Sequence, residues 1–444
     1  MDWARQRWEL SEWDLETFEY AERKCKVIRL GFDDCGDRIV RSTDLVTKKD
    51  WALEFESEKE ALEICKPTTC VILGSRSHQS NEGLSSLPFA RSVFDNVTER
   101  FCVHESVART IFRNYAGTFT QTRLLHGKTS KRAVVYNCRS SAHWDNDLAL
   151  SVTYFPETGS IFGIFYGCND HSLGKTVMTK IANRLSRSSE DAFTHPMLLV
   201  GLFVEMERAR LRGLVSNAKI ALQDIIDNLQ RSGYSAISQS DKSPADPWLG
   251  IYTIKNGLEL WTKLLLKMIS HIDELDRDAG LQPPCRSGQS DDSYSRTGQR
   301  IKDRLEEIHL EFEGLVKECE MIIDGMTLAT NLAIARDNMQ DGKRMKSIAV
   351  VTMVFLPATS VATFFSMTIL SLDPSYIWLY PSITIPLTIL VLCIYRLDIL
   401  RTWQKQSLHK ASTTAEKSIN DSLDVHIKDG HTKDCHFRRY CCLV

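Results

Sequence analysis

Six side chains recur at a spacing that can line one side of a helix with oxygen and sulfur. Advancing about 100° per residue from Thr352, Thr359 lies at about −20°, Thr363 at about +20° and Ser366 at about −40°; upstream, Met345 falls at about +20° and Asp341 at about −20°. Hydroxyl rings repeated around an axis by several chains can solvate a partly hydrated cation, and a ring of Asp341 carboxylates can attract it. Ser and Thr in apolar helices also bond their own i−4 carbonyls or join neighbouring helices. The spacing alone leaves both uses open.

The elements that would position this stripe are apolar. Between Lys346 and Arg396 the one charged residue is Asp373, which separates two uncharged runs, Ser347 to Leu372 and Pro374 to Tyr395. About 20 residues cross a hydrocarbon core of roughly 30 Å, so two membrane helices are expected at about 348–367 and 377–395. Pro357 and Pro386 do not oppose this, because neighbouring helices satisfy backbone groups freed by a kink. Arg336, Lys343, Arg344 and Lys346 precede the first span, Arg396, Arg401, Lys405 and Lys410 follow the second, and the short connecting loop has no Lys or Arg. Both ends are therefore expected in the cytoplasm, with Tyr376, Trp378 and Tyr380 at the outer interface.

Of the chain's 444 residues, 55 are Lys or Arg and 57 Asp or Glu, a formal net charge of −2 that provides no global basic field for nucleic acid. The first twenty residues have no apolar core and carry six acidic residues, unlike a secretory signal or a mitochondrial presequence. A plasma-membrane location is expected over the mitochondrial inner membrane. The 13 cysteines include no CxxC pair and are expected as free thiols.

Enzyme chemistry has little basis. Gly127-Lys128-Thr129 and Gly174-Lys175-Thr176 end like phosphate-binding loops, but Thr122 and Asn169 stand where the first glycine is required. No HExxH or GxSxG occurs, and His104, His126, His143 and His171 lack partner spacing, so they read as surface or packing residues. No resident cofactor is implied. The tail ends in Arg438-Arg439-Tyr440-Cys441-Cys442-Leu443-Val444; Cys441 stands four from the terminus with Cys442 beside it, which allows lipidation as well as a plain thiol pair. His426, His431, Cys435 and His436 match no structural zinc spacing.

Residues 1–190 read as an α/β domain with strands at Thr69–Gly74, Arg132–Asn137, Leu148–Phe155 and Ser160–Tyr166, where β-branched and aromatic runs stand between turn residues. Residues 191–346 read as helical. Leu211, Leu214, Ala218, Leu222, Ile225 and Leu229 mark one helix and residues 258–275 another, with loops at 232–247 and 276–297. Ile301, Leu305, Ile308, Phe312, Leu315, Cys319, Ile322, Met326, Ala329 and Ala333 then step by four and three, an a/d seam that fits a coiled-coil or bundle helix and is expected to mediate helix contacts in an oligomer. The polar stretch up to Lys346 suits a helix continuing into the first span; a break at Gly342 is the other reading. The fold class expected is an α/β cytoplasmic domain, a long helical stalk, a two-helix transmembrane hairpin at 347–396 and a basic tail at 397–444.

This order of elements resembles the CorA-like magnesium transporter family, most closely its divergent fungal members, through HPMLLVGLFVEMERARL at 195–211 and KSIAVVTMVFLPATSVATFFSM at 346–367. The family's mark is a Gly-Met-Asn tripeptide at the outer end of the first span; here Ser366, Met367 and Thr368 stand in those places and only the methionine is retained. The resemblance implies a homo-oligomer, five chains in the family, that moves divalent cations such as Mg2+ through the bilayer past a mouth at Ser366, Met367 and Thr368. Thr368 has no amide carbonyl, and the external loop keeps one acid, Asp373, so altered selectivity is expected. A membrane-anchored interaction protein that keeps the architecture without conducting is the other reading.

Overall fold

A computed structural model describes residues 8–32, 38–56, 68–76, 83–112, 117–126, 131–168, 176–187, 195–232, 245–283, 292–366, 378 and 380–397. The chain divides into two units, Met1–Ala333 and Ile334–Val444.

In the first unit, seven strands form one sheet: β2 (Cys25–Phe32), β3 (Arg38–Leu45), β4 (Thr69–Ser75), β6 (Thr118–Leu125), β7 (Arg132–Arg139), β8 (Ala149–Phe155) and β9 (Ser160–Cys168). Their order is β3-β2-β4-β9-β8-β7-β6. Neighbours are antiparallel except β4 and β9, which run parallel in the register Thr69↔Ile161 to Leu73↔Phe165. Two-residue strands β1 (Glu19–Tyr20) and β5 (Ser86–Leu87) pair separately. β4, β8 and β9 are buried along their whole length, as expected of central strands covered on both faces.

Alternation along those strands feeds two cores. Cys70, Ile72, Phe162, Ile164 and Tyr166 face one core, closed by α3 (Arg91–Arg100) and α4 (Ser106–Phe112) through Phe94, Val97 and Ile111. Val71, Leu73, Leu150, Val152 and Phe165 face the other, which holds residues of α5 (Val177–Arg187), α6 (Met197–Ser232), α7 (Ala245–Arg277) and α8 (Asp292–Ser366). Two short helices, α1 (Glu12–Thr17) and α2 (Lys48–Glu56), also precede α3. A Cβ on Gly163 of β9 would stand 2.5 Å from Leu199 Cδ1, so α6 reaches the sheet because that residue has no side chain. Gly167 takes φ 85° where the β4–β9 register slips, a conformation that costs glycine little.

Each strand expected from sequence is present, extended or trimmed by one or two residues. Both loops next to the helices are shorter than expected, because α7 starts at Ala245 and α8 at Asp292. Pro247 falls in the first turn of α7, where a missing N–H leaves no carbonyl unsatisfied. α8 is one helix through Gly342, 75 residues long.

The largest departure concerns the seam. Leu305, Ile308, Phe312, Cys319, Ile322 and Met326 are buried inside their own chain, in the same core as Phe203, Trp261 and Leu265. The period was that of an intrachain helix face, and it closes the core of the first unit. Exposed instead are Leu310, Met321, Leu328, Leu332 and Met339, within about 40° of one another on the opposite side of the helix.

Candidate functional site

Ion pairs hold the first stretch of α8 in its unit. Glu205 of α6 accepts from Arg304 Nε at 2.5 Å and from Arg208 Nε at 3.1 Å, and Arg208 reaches on to Glu311 at 2.6 Å. Burial alone would raise the Glu205 pKa, but the Arg304 hydrogen bond and the charges of Arg304, Arg208 and Arg184 hold it below the usual carboxylate value. Lys302 pairs with Asp273 at 2.7 Å, Lys219 with Glu318 at 2.7 Å and Lys255 with Glu320 at 2.9 Å. Just ahead of α6, His195 Nδ1 accepts from Met197 N at 3.3 Å, capping the helix. Burial, with His271 nearby, pulls its pKa down to about 3, so the ring stays neutral. On α7, Tyr136 Oη lies 3.0 Å from His271 Nε2, and His271 Nδ1 lies 3.1 Å from Glu274.

The second unit contains the apolar stretch of α8 and α9 (Tyr380–Leu397), each long and apolar enough to cross a membrane. Every predicted hydroxyl on α8 bonds a carbonyl of its own helix: Thr352 to Ile348 at 2.6 Å, Thr359 to Phe355 at 3.0 Å, Thr363 to Thr359 at 2.7 Å and Ser366 to Thr363 at 2.9 Å. All four residues are exposed in the single chain, as are Met345 and Asp341, the latter 3.5 Å from Arg344. They share one face, on which Ile348 and Leu356 also fall at about −40° and +40° from Thr352. Met367 and Thr368, like the loop acid Asp373 and the cysteine tail, lie outside the described residues.

The opposite side of the same stretch is the closed one. Pro357 and Val361 are buried at about 140° and 180° from Thr352, and on α9 Thr384 is buried too. Tyr380 Oη donates to Ala358 O at 3.3 Å, joining the two helices. α9 thus packs away from the hydroxyl face, which no element of its own unit covers among the described residues. Sequence reasoning placed Tyr380 at an interface but did not find this bond, since nothing in the sequence couples positions 22 apart. Among the described residues no cluster of three or more His, Cys, Asp or Glu can hold a metal.

Residues 290–397, the segment that carries both apolar helices, match the family model described as CorA-like Mg2+ transporter protein. No curated protein matches the chain by sequence. Among solved structures, it is similar to the complete CorA magnesium transporter from Methanocaldococcus jannaschii, with 10% identity, TM-score 0.46 and coverage of 83% of this chain and 97% of that one. It is also similar to the full-length CmaX protein, with 10% identity, TM-score 0.46 and coverage of 85% of this chain and 98% of that one.

Proposed function

We propose that this chain assembles into a homo-oligomeric membrane channel for divalent cations of the magnesium type, with its α/β domain and both termini in the cytoplasm of a plasma-membrane protein. The match of residues 290–397 to a magnesium-transporter family carries the reading. The open hydroxyl face supports it: one hairpin cannot enclose a path, and a face turned away from α9 is free to meet the same face of other copies, five by resemblance. In this reading Asp341, Met345, Thr352, Thr359, Thr363 and Ser366 line the path, with Ser366, Met367 and Thr368 at the mouth. A tripeptide without an amide side chain suits hydrated Mg2+ poorly, because that ion keeps its waters and is held through them. Selection among divalent ions is relaxed.

Flux of Mg2+ and other divalent cations into liposomes holding the purified protein tests this. Wild type conducts, Thr359→Leu lowers the flux of every cation, the Thr352/Thr359 double substitution lowers it further, and Ser366→Gly with Thr368→Asn raises Mg2+ flux. If neither wild type nor the restored variant passes any divalent cation while correctly assembled, conduction is wrong and a membrane-anchored interaction protein is the better account.

A further inference from the structure

Just ahead of the apolar stretch of α8, charge is sorted by side. Four bases and two acids stand between Arg336 and Lys346. At about 100° per residue from Thr352, Asp337 and Asp341 fall at about −60° and −20°, on the hydroxyl side. Lys346 falls at about +120°, Lys343 at about 180° and Arg336 at about −160°, on the far side. Arg344, at about −80°, pairs with Asp341 at 3.5 Å.

The far side is also where α9 packs. Ala349, Met353, Pro357 and Val361 of α8, all half-buried or buried, recur every four residues, and Thr384, Thr388, Val391 and Tyr395 of α9 answer them in steps of four and three. With Tyr380 Oη on Ala358 O, α9 runs back along α8. Arg396 lies about 24 Å of helix past Tyr380 and Lys343 about 22 Å of helix before Ala358, so the two are level to within about one turn. Lys343, Lys346 and Arg396 are all exposed, and the one ion pair at this end among the described residues is that of Arg344 with Asp341. The sequence past Leu397 does not restore the balance, since up to Lys410 it adds Asp398 against Arg401, Lys405 and Lys410.

We propose that the groove between α8 and α9 at this end holds the headgroup of an anionic phospholipid, bound by Lys343, Lys346 and Arg396. The negative surface potential of a cytoplasmic leaflet draws basic residues at the end of a span and dies away within a Debye length, so bases about one turn from the apolar stretch are the ones in reach. A lipid fits better than a soluble acid because the same side continues as apolar surface. Val350 and Val354, exposed at about 160° and −160°, lie directly beyond Lys343 and offer the acyl chains a place to run. The inference rests on both apolar helices spanning the bilayer, and not on conduction.

Spin-labelled phosphatidylserine and, separately, spin-labelled phosphatidylcholine, added to full-length protein in phosphatidylcholine liposomes, test this through the motionally restricted fraction of each in electron paramagnetic resonance. Phosphatidylserine is favoured about tenfold, and Lys343→Gln with Lys346→Gln and Arg396→Gln brings the two lipids to about equal affinity. Lys346→Gln alone lowers the preference about threefold, whereas Arg344→Gln, the same change in net charge on the paired side, keeps it. No preference in wild type, an undiminished one in the triple variant, or equal losses in Lys346→Gln and Arg344→Gln overturns the proposal. So does displacement of the labelled lipid by soluble glycerophosphoserine or polyglutamate, which would assign the groove to a free headgroup or an acidic protein. If the triple variant does not insert, Lys346→Gln against Arg344→Gln decides. Restriction of neither lipid overturns the membrane reading together with this one. A conducting protein without the preference, or the preference without conduction, tells the failure of one proposal from the failure of the other.

Discussion

Two stretches of one helix, residues 292–333 and 334–366 of α8, obey opposite rules. The first buries Leu305, Ile308, Phe312 and Cys319 to within about a hundredth of full closure, against side chains of its own chain. The second exposes Ile348, Phe355, Leu356 and Phe364 by 60% or more, and its buried side is limited to positions such as Pro357 and Val361. Water does not tolerate that much contiguous apolar surface, so a single chain finishes the first unit and leaves the apolar stretch of the second uncovered.

Truncating the closed side breaks the comparison hardest. Phe312→Ala should cost the first unit about 3 to 5 kcal/mol in denaturant unfolding, whereas Leu356→Ala should leave that transition within about 0.5 kcal/mol. Equal effects would mean that both stretches fold as one cooperative block.

Protonation comes next in size. His195 is held neutral, with a pKa near 3 in the fold against roughly 6.5 unfolded, so the unfolded chain binds the extra proton between those values. Stability is therefore full above about pH 6.5 and falls by up to about 1.4 kcal/mol per pH unit as pH drops toward 3. Measured between pH 6.5 and 5, before carboxylates contribute, this slope should flatten in His195→Gln. An identical slope in the variant would assign the proton elsewhere.

A smaller effect separates the two ion-pair settings. Glu205→Gln strips Arg304 and Arg208 of a largely buried anionic partner and should cost about 1 to 3 kcal/mol. Because its folded pKa is depressed, the Glu205 contribution is present above the unfolded carboxylate value of about 4.3 and is lost as pH falls below it. Asp341→Asn, at an exposed pair, should change unfolding by no more than about 0.5 kcal/mol.

Smallest of all for folding is the exposed stripe. Leu328→Asp with Leu332→Asp should shift unfolding of the first unit by about 0.5 kcal/mol or less, yet reduce the mass of the proposed oligomer in mild detergent. Unchanged mass would place the contacts between copies elsewhere. Leu305→Asp with Leu315→Asp is the contrasting pair: it puts charge into the chain's own core and unfolds it.

The sequence disclosed what depends on local period and little of what depends on partners. β4, β8 and β9 were legible because central strands are continuously apolar. β2 and β3 were missed because they alternate charge with apolar residues near the sheet edge, where Lys26 and Asp44 pair across strands at 2.5 Å. The starts of α7 and α8 read as loop since Ser, Asp and Pro serve turns and first turns alike. The a/d seam declared a buried helix face without saying whose surface buries it. At the candidate site, the angular alignment from Asp341 to Ser366 was legible in spacing, whereas the packing of α9 on the far side and the Tyr380 bond required coordinates. The ion-pair group in which Arg76 and Arg139 share Asp147 was invisible, since its members meet across 71 and 8 residues of chain.

The hydroxyl bonds on α8 have one more consequence. Each of Thr352, Thr359, Thr363 and Ser366 gives its only proton to a carbonyl of its own helix. What each turns outward is oxygen lone pairs, so the face offers acceptors and no donors. A chloride ion passing along it would find no donor to bond, while a cation, or a water pointing its hydrogens at the wall, would be met at each of the four hydroxyls. If this face lines the proposed path, the helix favours cations there without spending a single charged side chain in the span.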